Sequence, residues 1–262
     1  MADVDKIVEA VRQTAKYATV TPELIAHLAE EELRKRPNLK EATKATKNRL
    51  HQVAGAYFNS RPQYDTWLRE LENTPREAHQ DLIRTFMSHH VSTQERLTIL
   101  DNYYATIFAD LPPIHSVMDV ACGLNPLAIP WMPLAEGAVY YAYDLYEDMM
   151  AFLDRALPLL GVGGSATPAD VSARVPSQSV DLALVIKAIP CLQHLDKYIG
   201  DKLLNGIDCR YIVVSFPAQS IGGREKGMVT HYTGMFEALL ADHEWQVRRH
   251  VFATELVFVI EK

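Results

Sequence analysis

Apolar residues change their period partway along the chain. In the first third they recur at helical spacing. Val4, Ile7, Val8 and Val11 fall on one face of a helix. Thr21 followed by Pro22 reads as a helix start, with threonine as cap and proline at the first helical position, and Leu24, Ile25 and Leu28 supply the apolar stripe. Pro37 ends that segment. A third helix is predicted from Leu39 to about Phe58, and further helical structure over 61–89, where Trp67, Leu68, Leu71, Leu82, Ile83 and Phe86 are core candidates. Ser-Thr-Gln-Glu at 92–95 has the form of a capping box ahead of Leu97 and Leu100, and the helix it opens is expected to stop near Pro112 and Pro113.

From Ile114 onward short apolar runs alternate with helical segments. The runs predict strands at 114–120, 139–143, 165–168, 181–187, 210–216, 245–252 and 254–260, with helices after Pro126 and at 146–160, 192–205 and 230–241. Almost nothing separates the last two runs, so they are expected to pair antiparallel after five parallel strands. The expected organisation is an all-helical domain, 1–90, and an α/β domain, 91–262. A dehydrogenase of the Rossmann type would run on through another crossover helix instead of closing with a hairpin.

Composition is that of an ordinary globular chain, 48% hydrophobic and 23% charged. No apolar run is long enough for a membrane span, and the N-terminus is acidic, so a cytosolic location is expected. The three cysteines, Cys122, Cys191 and Cys209, have no metal-ligand spacing and read as reduced thiols. The net charge of −7 disfavours a nucleic-acid partner, but its distribution changes that reading. Within 33–51, Arg34, Lys35, Arg36, Lys40, Lys44, Lys47 and Arg49 face a single acid, Glu41. Such a concentration fits phosphate binding. Lys40, Lys44 and Lys47 share one helix face, which is either an RNA contact or a solvated surface.

The candidate chemistry gathers at strand ends. The run over 114–120 is broken at Gly123 and then by Asn125 and Pro126, with Asp119 inside the strand. A glycine turn lets backbone approach a ligand, and in open α/β sheets ligands sit at this end of the strands. The string fits neither G-x-G-x-x-G nor the phosphate-binding loop. Asp144 ends the next strand about twenty residues on, the spacing at which a carboxylate meets a pair of ribose hydroxyls; capping the following helix is its alternative role. Asp170 is placed either to accept from an adenine amino group or to make a loop turn. Lys187 ends a buried strand, where a cation needs a partner or a route to the surface. Arg96 is a fork for a ligand carboxylate or a surface ion pair. Gly222, Gly223 and Gly227 with Arg224 and Lys226 form a glycine-rich basic loop after Ser215, Phe216 and Pro217.

Several strings carry a family. Ser-Thr-Gln-Glu-Arg-Leu at 92–97, Asp-Val-Ala-Cys-Gly-Leu-Asn-Pro at 119–126, Ser-Phe-Pro at 215–217, Gly-Gly-Arg-Glu-Lys-Gly-Met at 222–228 and Thr-Glu-Leu at 254–256 resemble the aminoglycoside-resistance methyltransferases of the Arm/Rmt group. Lys16-Tyr17 with Thr21-Pro22 is similar too, as are Arg-Leu-His-Gln at 49–52 and Gly-Ala-Tyr at 55–57, whereas 60–85 and 146–175 match little. The resemblance implies a class I S-adenosylmethionine-dependent methyltransferase, Rossmann-like with a seven-stranded sheet. It implies methyl transfer to N7 of guanine 1405 in 16S rRNA of the assembled 30S subunit, leaving S-adenosylhomocysteine, and resistance to 4,6-disubstituted deoxystreptamines. Cofactor contacts are then expected from Arg96, Asp119, Ala121, Gly123, Asn125, Pro126, Asp144, Leu145, Asp170, Val171 and Lys187. Target-base contacts are expected from Lys187, Ser215, Phe216 and Pro217, and RNA contacts from Lys16, Arg34, Lys35, Arg36, Lys40, Lys44, Lys47, Arg49, Arg224 and Lys226. A monomer without metal or membrane is expected.

Three other functions compete. A small-molecule methyltransferase would carry a neutral apolar cap, against which the basic stretch speaks. A non-catalytic RNA- or adenosylmethionine-binding protein would transfer no methyl group. Methylation of adenine N1 in the same rRNA site would call for a different N-terminal region and aromatic clamps.

Overall fold

The computed structural model of the protein describes residues 2–54, 58, 62–219 and 227–262. Five strands run parallel: β1 (Ile114–Val120), β2 (Leu134–Asp144), β3 (Gly163–Pro168), β4 (Val180–Ile186) and β5 (Cys209–Pro217). β6 (Gln246–Val251) and β7 (Glu255–Glu261) form the closing hairpin, and β7 inserts antiparallel between β5 and β6. The order β3-β2-β1-β4-β5-β7-β6 is the sheet of the class I methyltransferase fold. Central position explains composition: Val117, Val120, Leu182, Leu184, Val213 and Val259 are covered on both faces and almost wholly buried. The chain works outward from β1 to β3 and then returns to β4, so a switch point opens between the C-terminal ends of β1 and β4.

The helices are α1 (Ala2–Arg12), α2 (Pro22–Lys35), α3 (Leu39–Ala54), α4 (Tyr64–Asn73), α5 (His79–Met87), α6 (Val91–Arg96) and α7 (Leu100–Phe108) before the sheet. Within it lie α8 (Glu147–Leu160), α9 (Ile189–Leu192), α10 (Ile199–Gly206) and α11 (Met228–Leu240). One apolar cluster runs from Ile7 and Leu24 of the first helices to Val117 and Leu182 of the sheet. The helical region is stitched to the sheet just past β2. The Thr21 amide donates to the Leu145 carbonyl at 2.9 Å, the Glu147 amide donates to the Thr19 carbonyl at 2.7 Å, and Arg12 pairs with Glu147 at 2.6 Å.

Several elements depart from the sequence reading. β2 begins five residues earlier than predicted, and a register shift against β1 between Ile114 and Ser116 accommodates the extra length around Gly137. The helix after Pro126 is a 3-10 segment, Asn125–Trp131, because Pro130 inside it has no amide hydrogen for an α-helical bond. The region 61–89 is divided at Pro75, and 192–205 is divided where the Asp196 carboxylate takes the Tyr198 amide at 2.9 Å. The capping box does not form. α6 starts before Ser92, and the Thr93 hydroxyl donates to the Met87 carbonyl at 2.6 Å. Thr21 holds the N-cap position of α2 as predicted, but its hydroxyl makes no capping bond.

Candidate active site

The strand ends enclose a cleft of about 650 Å³. Of the residues expected at a cofactor, Arg96, Ala121, Gly123, Asn125, Asp144, Leu145, Val171 and Lys187 line it, and Pro217 reaches it from β5. Ala121 and Lys187, one residue beyond β1 and β4, both adopt left-handed backbone at φ 52° and 53°. Side chains rarely take that conformation, and it concentrates at functional sites. Gly123 has φ 52°, and a Cβ there would stand 2.8 Å from the His90 ring, so both conformation and space require glycine.

Asp144 closes the turn around Gly123. One carboxylate oxygen accepts from the Gly123 amide at 2.8 Å and the other from the Leu145 amide at 2.6 Å. Burial raises its pKa, and the backbone donors act against that rise. The Tyr146 amide acts on the carboxylate as well, and its acceptor capacity still leaves room for a hydroxyl donor.

Beneath the cleft lies a buried polar network centred on Glu255, at the start of β7. Arg96 Nε donates to Glu255 Oε1 at 2.8 Å, while the Tyr103 and Ser215 hydroxyls donate to Oε2 at 2.7 and 2.9 Å. Arg96 Nη1 donates to Asn125 Oδ1, which also accepts from the Tyr104 hydroxyl at 2.6 Å. Among the described residues Arg96 Nη2 is buried without a hydrogen-bond partner. Burial opposes the Arg96 charge, but Glu255 with Tyr104 and Tyr103 together outweigh it and hold the guanidinium above its ordinary pKa. Burial likewise opposes the Glu255 charge, and Arg96 and Lys187 together hold its pKa low. Lys187 Nζ meets Glu95 Oε2 at 2.7 Å, the Ser92 carbonyl at 2.9 Å and Glu255 Oε1 at 3.6 Å. Its partner requirement is therefore met inside the site. His90, also at the cleft, is pushed down to about 3 by burial and by the Lys187 and Arg96 charges, which keeps it neutral.

Five expected contact residues stand behind the wall. Asp119 is fully buried and accepts from Asn125 Nδ2 at 2.9 Å and the Tyr140 hydroxyl at 2.6 Å. Pro126 is buried as the second residue of the 3-10 segment. Asp170 is spent on its own loop, accepting from the Ser172 amide and hydroxyl, and on His27 of α2 at 3.3 Å. The loop-turn alternative is the one its carboxylate adopts. Ser215 and Phe216 are fully buried; Ser215 anchors Glu255, and Phe216 stacks at 4.9 Å on Tyr232, which does line the cleft. Arg96 is likewise no surface ion pair, being wholly inside.

The basic stretch is partly neutralised in three dimensions. Acids of α2 that precede the stretch in sequence take three of its cations. Arg49 pairs with Glu31 at 2.5 Å and Glu32 at 3.4 Å, Lys35 with Glu32 at 3.5 Å, and Arg36 also with Glu32. Lys47 donates to the Thr14 hydroxyl at 2.9 Å and Lys16 lies 3.0 Å from His51 Nδ1. Arg34, Lys40 and Lys44 are exposed, the last two with Lys47 around a shallow depression on α3. Arg224 and Lys226 lie outside the described residues.

The residues present fit an adenosylmethionine. A glycine turn at β1, a carboxylate at β2, apolar Leu145 and Val171, and a buried cation with an unused donor answer its ribose, base and carboxylate in turn. Among the described residues no three His, Cys, Asp or Glu side chains gather to hold a metal ion, and no helix is long and apolar enough to cross a membrane.

Comparison with known proteins agrees. Residues 13–259 match the family described as ribosomal RNA methyltransferase (FmrO). A 16S rRNA (guanine(1405)-N(7))-methyltransferase of Frankia casuarinae is 38% identical, over 99% of this chain and 94% of its own. One of Micromonospora echinospora is 35% identical over 99% and 97%. Among solved structures, the 16S rRNA methyltransferase RmtF in complex with S-adenosyl-L-homocysteine superposes with a TM-score of 0.84 at 27% identity, covering 99% of this chain and 98% of its own.

Proposed function

The chain belongs to the FmrO ribosomal RNA methyltransferase family, and from that membership and the cleft we propose that it methylates N7 of guanine 1405 in 16S rRNA with S-adenosylmethionine. The observation that carries the reading is the pairing of a cleft whose lining suits adenosylmethionine with full-length similarity to enzymes of that name. The assembled 30S subunit is the substrate, the protein acts as a monomer, and the product ribosome resists 4,6-disubstituted deoxystreptamine drugs.

When bound, S-adenosylmethionine supplies a methyl group made electrophilic by its sulfonium. The chain's own residues bind and orient. Asp144 accepts the ribose hydroxyls, Gly123 admits the ligand to the backbone, and Val171 and Leu145 give an apolar wall. Arg96, fixed by Glu255 and Asn125, presents Nη2 to a ligand carboxylate. Guanine N7 carries a lone pair and no proton, so no general base is needed. The groups nearest the cleft suit that requirement: His90 is neutral, and Glu95 and Glu255 are engaged by cations. Catalysis then rests on alignment of N7 with the methyl group, worth several powers of ten in rate. Reaching N7 calls for a base turned out of its helix, received between Lys187 and Pro217. Residues 1–90 serve as the RNA-docking part, through Lys16, Arg34, Lys40, Lys44 and Lys47 first, and through Lys35, Arg36 and Arg49 where RNA displaces their acids.

The test is incubation of purified protein with 30S subunits and S-adenosylmethionine, followed by borohydride and aniline, which break RNA at N7-methylguanine. One new break at guanine 1405 is expected. Methyl incorporation without that break would move the target elsewhere, and no incorporation would leave a binding protein.

A further inference from the structure

Of the described residues, Tyr198 is the most exposed large hydrophobic side chain, at 61%. Single exposed apolar residues are common and need no explanation by themselves. Three observations set this one apart. It lies in the α9–α10 connection, which follows cleft-lining Cys191 and Leu192 and itself contributes His194 to the cleft. Its ring is already faced by a cation, the Lys197 ammonium, 4.6 Å from the centroid. Its backbone is fixed: the amide donates to Asp196 Oδ1 at 2.9 Å, Asp196 is itself held by Lys202 at 2.5 Å, and Ile199 next to it is fully buried. A large aromatic ring has thus been placed in solvent on a hydrogen-bonded connection, four residues past cleft-lining His194. Ordering it in advance removes the entropy cost of holding it for a partner.

We infer that Tyr198 is a stacking platform for a nucleobase of the RNA substrate near the target, on the α9–α10 connection, with Lys197 beside it for the phosphate. The inference rests on the RNA methyltransferase reading above. The chemistry points to an unpaired base rather than to backbone charge. Lys202 pairs with Asp196, and the Asp201 carboxylate, which accepts from Asn205 at 2.9 Å, balances Lys197 in formal charge, so the segment carries no net positive charge and its distinctive feature is the π face. Single-stranded bases are recognised by such stacking on aromatics. The platform differs in kind from the α3 lysines, because its contribution barely depends on salt, whereas phosphate neutralisation weakens steeply as salt rises.

The experiment measures 30S methylation kinetics for wild type, Tyr198→Ala and Tyr198→Phe, with calorimetric titration of S-adenosylhomocysteine alongside. Tyr198→Ala is expected to raise the KM for 30S subunits about tenfold, at low and high salt alike. Its kcat and its S-adenosylhomocysteine affinity should stay within about twofold of wild type, and Tyr198→Phe, which keeps the ring, should behave as wild type. An unchanged KM in Tyr198→Ala overturns the platform. So does an equal loss in Tyr198→Phe, a loss confined to kcat, or a fall in S-adenosylhomocysteine affinity, which would make the residue structural. A wild-type protein that leaves 30S subunits unmethylated overturns the activity itself, and the platform with it.

Discussion

Arg96 Nε and Glu255 Oε1 lie 2.8 Å apart across 159 positions of sequence, and neither side chain is exposed to solvent. The pair joins the last turn of α6 to the first residue of β7 and so ties the helical approach to the closing hairpin. Removing one partner leaves the other as an uncompensated buried charge. Glu255→Gln is expected to lower the unfolding free energy by about 3 kcal/mol at neutral pH, read by urea denaturation. The pH dependence has a sign. Glu255 is held below the ordinary carboxylate range once Arg96 and Lys187 overcome the effect of burial. Its contribution is therefore present above the unfolded pKa and is lost as pH falls through the folded one. Wild-type and variant curves should converge in acid.

Asp119 behaves in the opposite sense. Burial pushes its pKa up to about 7 despite the hydrogen bonds from Tyr140 and Asn125. The folded protein then holds a proton that the unfolded chain has released. Stability from this group is complete below the unfolded carboxylate pKa and declines as pH rises to about 7. Relative to Asp119→Asn, wild type should lose about 3 kcal/mol between pH 5 and pH 8, at 1.4 kcal/mol for each pH unit up to the folded pKa. Paired urea titrations at the two pH values check it; parallel behaviour of the two proteins would contradict it.

Asp144→Ala is expected to weaken S-adenosylhomocysteine binding at least tenfold by calorimetry, for two reasons. The ligand loses a charged acceptor, and the Gly123 amide loses the oxygen that holds its turn closed. Asp144→Asn should fall between the two, since it keeps one acceptor oxygen. Unchanged affinity in Asp144→Ala would remove this carboxylate from the cofactor site.

On the basic face, position in the fold separates two outcomes. Charge reversal at Lys40, Lys44 and Lys47 is expected to weaken 30S binding in filtration assays, more so at low salt, and to leave S-adenosylhomocysteine binding unchanged. Arg49→Glu places an acid against Glu31 and Glu32 and should lower stability by about 1–2 kcal/mol even without RNA. Equal 30S affinity after the triple reversal would return those lysines to a merely solvated surface.

The sequence shows the elements far better than it shows the assignments of side chains. The runs at 114–120 and 254–260 are strands nearly to the residue, because central strands buried on both faces need continuous apolar stretches. The glycine turn and Asp144 are likewise legible, since both depend on local spacing. Glu255 is visible only as part of a family string. That it gathers Arg96, Lys187, Tyr103 and Ser215 depends on strand order, which brings Glu255 opposite Pro217 in register. The same limit explains Asp119, Ser215 and Phe216. Each lies one or two positions before a cleft residue, yet is buried on partners distant in sequence: Asp119 on Tyr140 and Asn125, Ser215 on Glu255, and Phe216 on Tyr232. The charge of 33–51 overstates its unpaired cations for a related reason, as Glu31 and Glu32, just before it, pair with Lys35, Arg36 and Arg49.

The chain is acidic overall, net −7, yet α2 and α3 expose Arg34, Lys40 and Lys44. Such a molecule is an electric dipole. Near a polyanion it is turned before it is drawn: collisions that lead with the acidic body are repelled, and those that lead with α3 survive. The charge asymmetry therefore acts as a filter on encounter geometry more than as a source of affinity. Its reach is set by the screening length, about 8 Å at physiological ionic strength, so the filter works only in the last nanometre of approach.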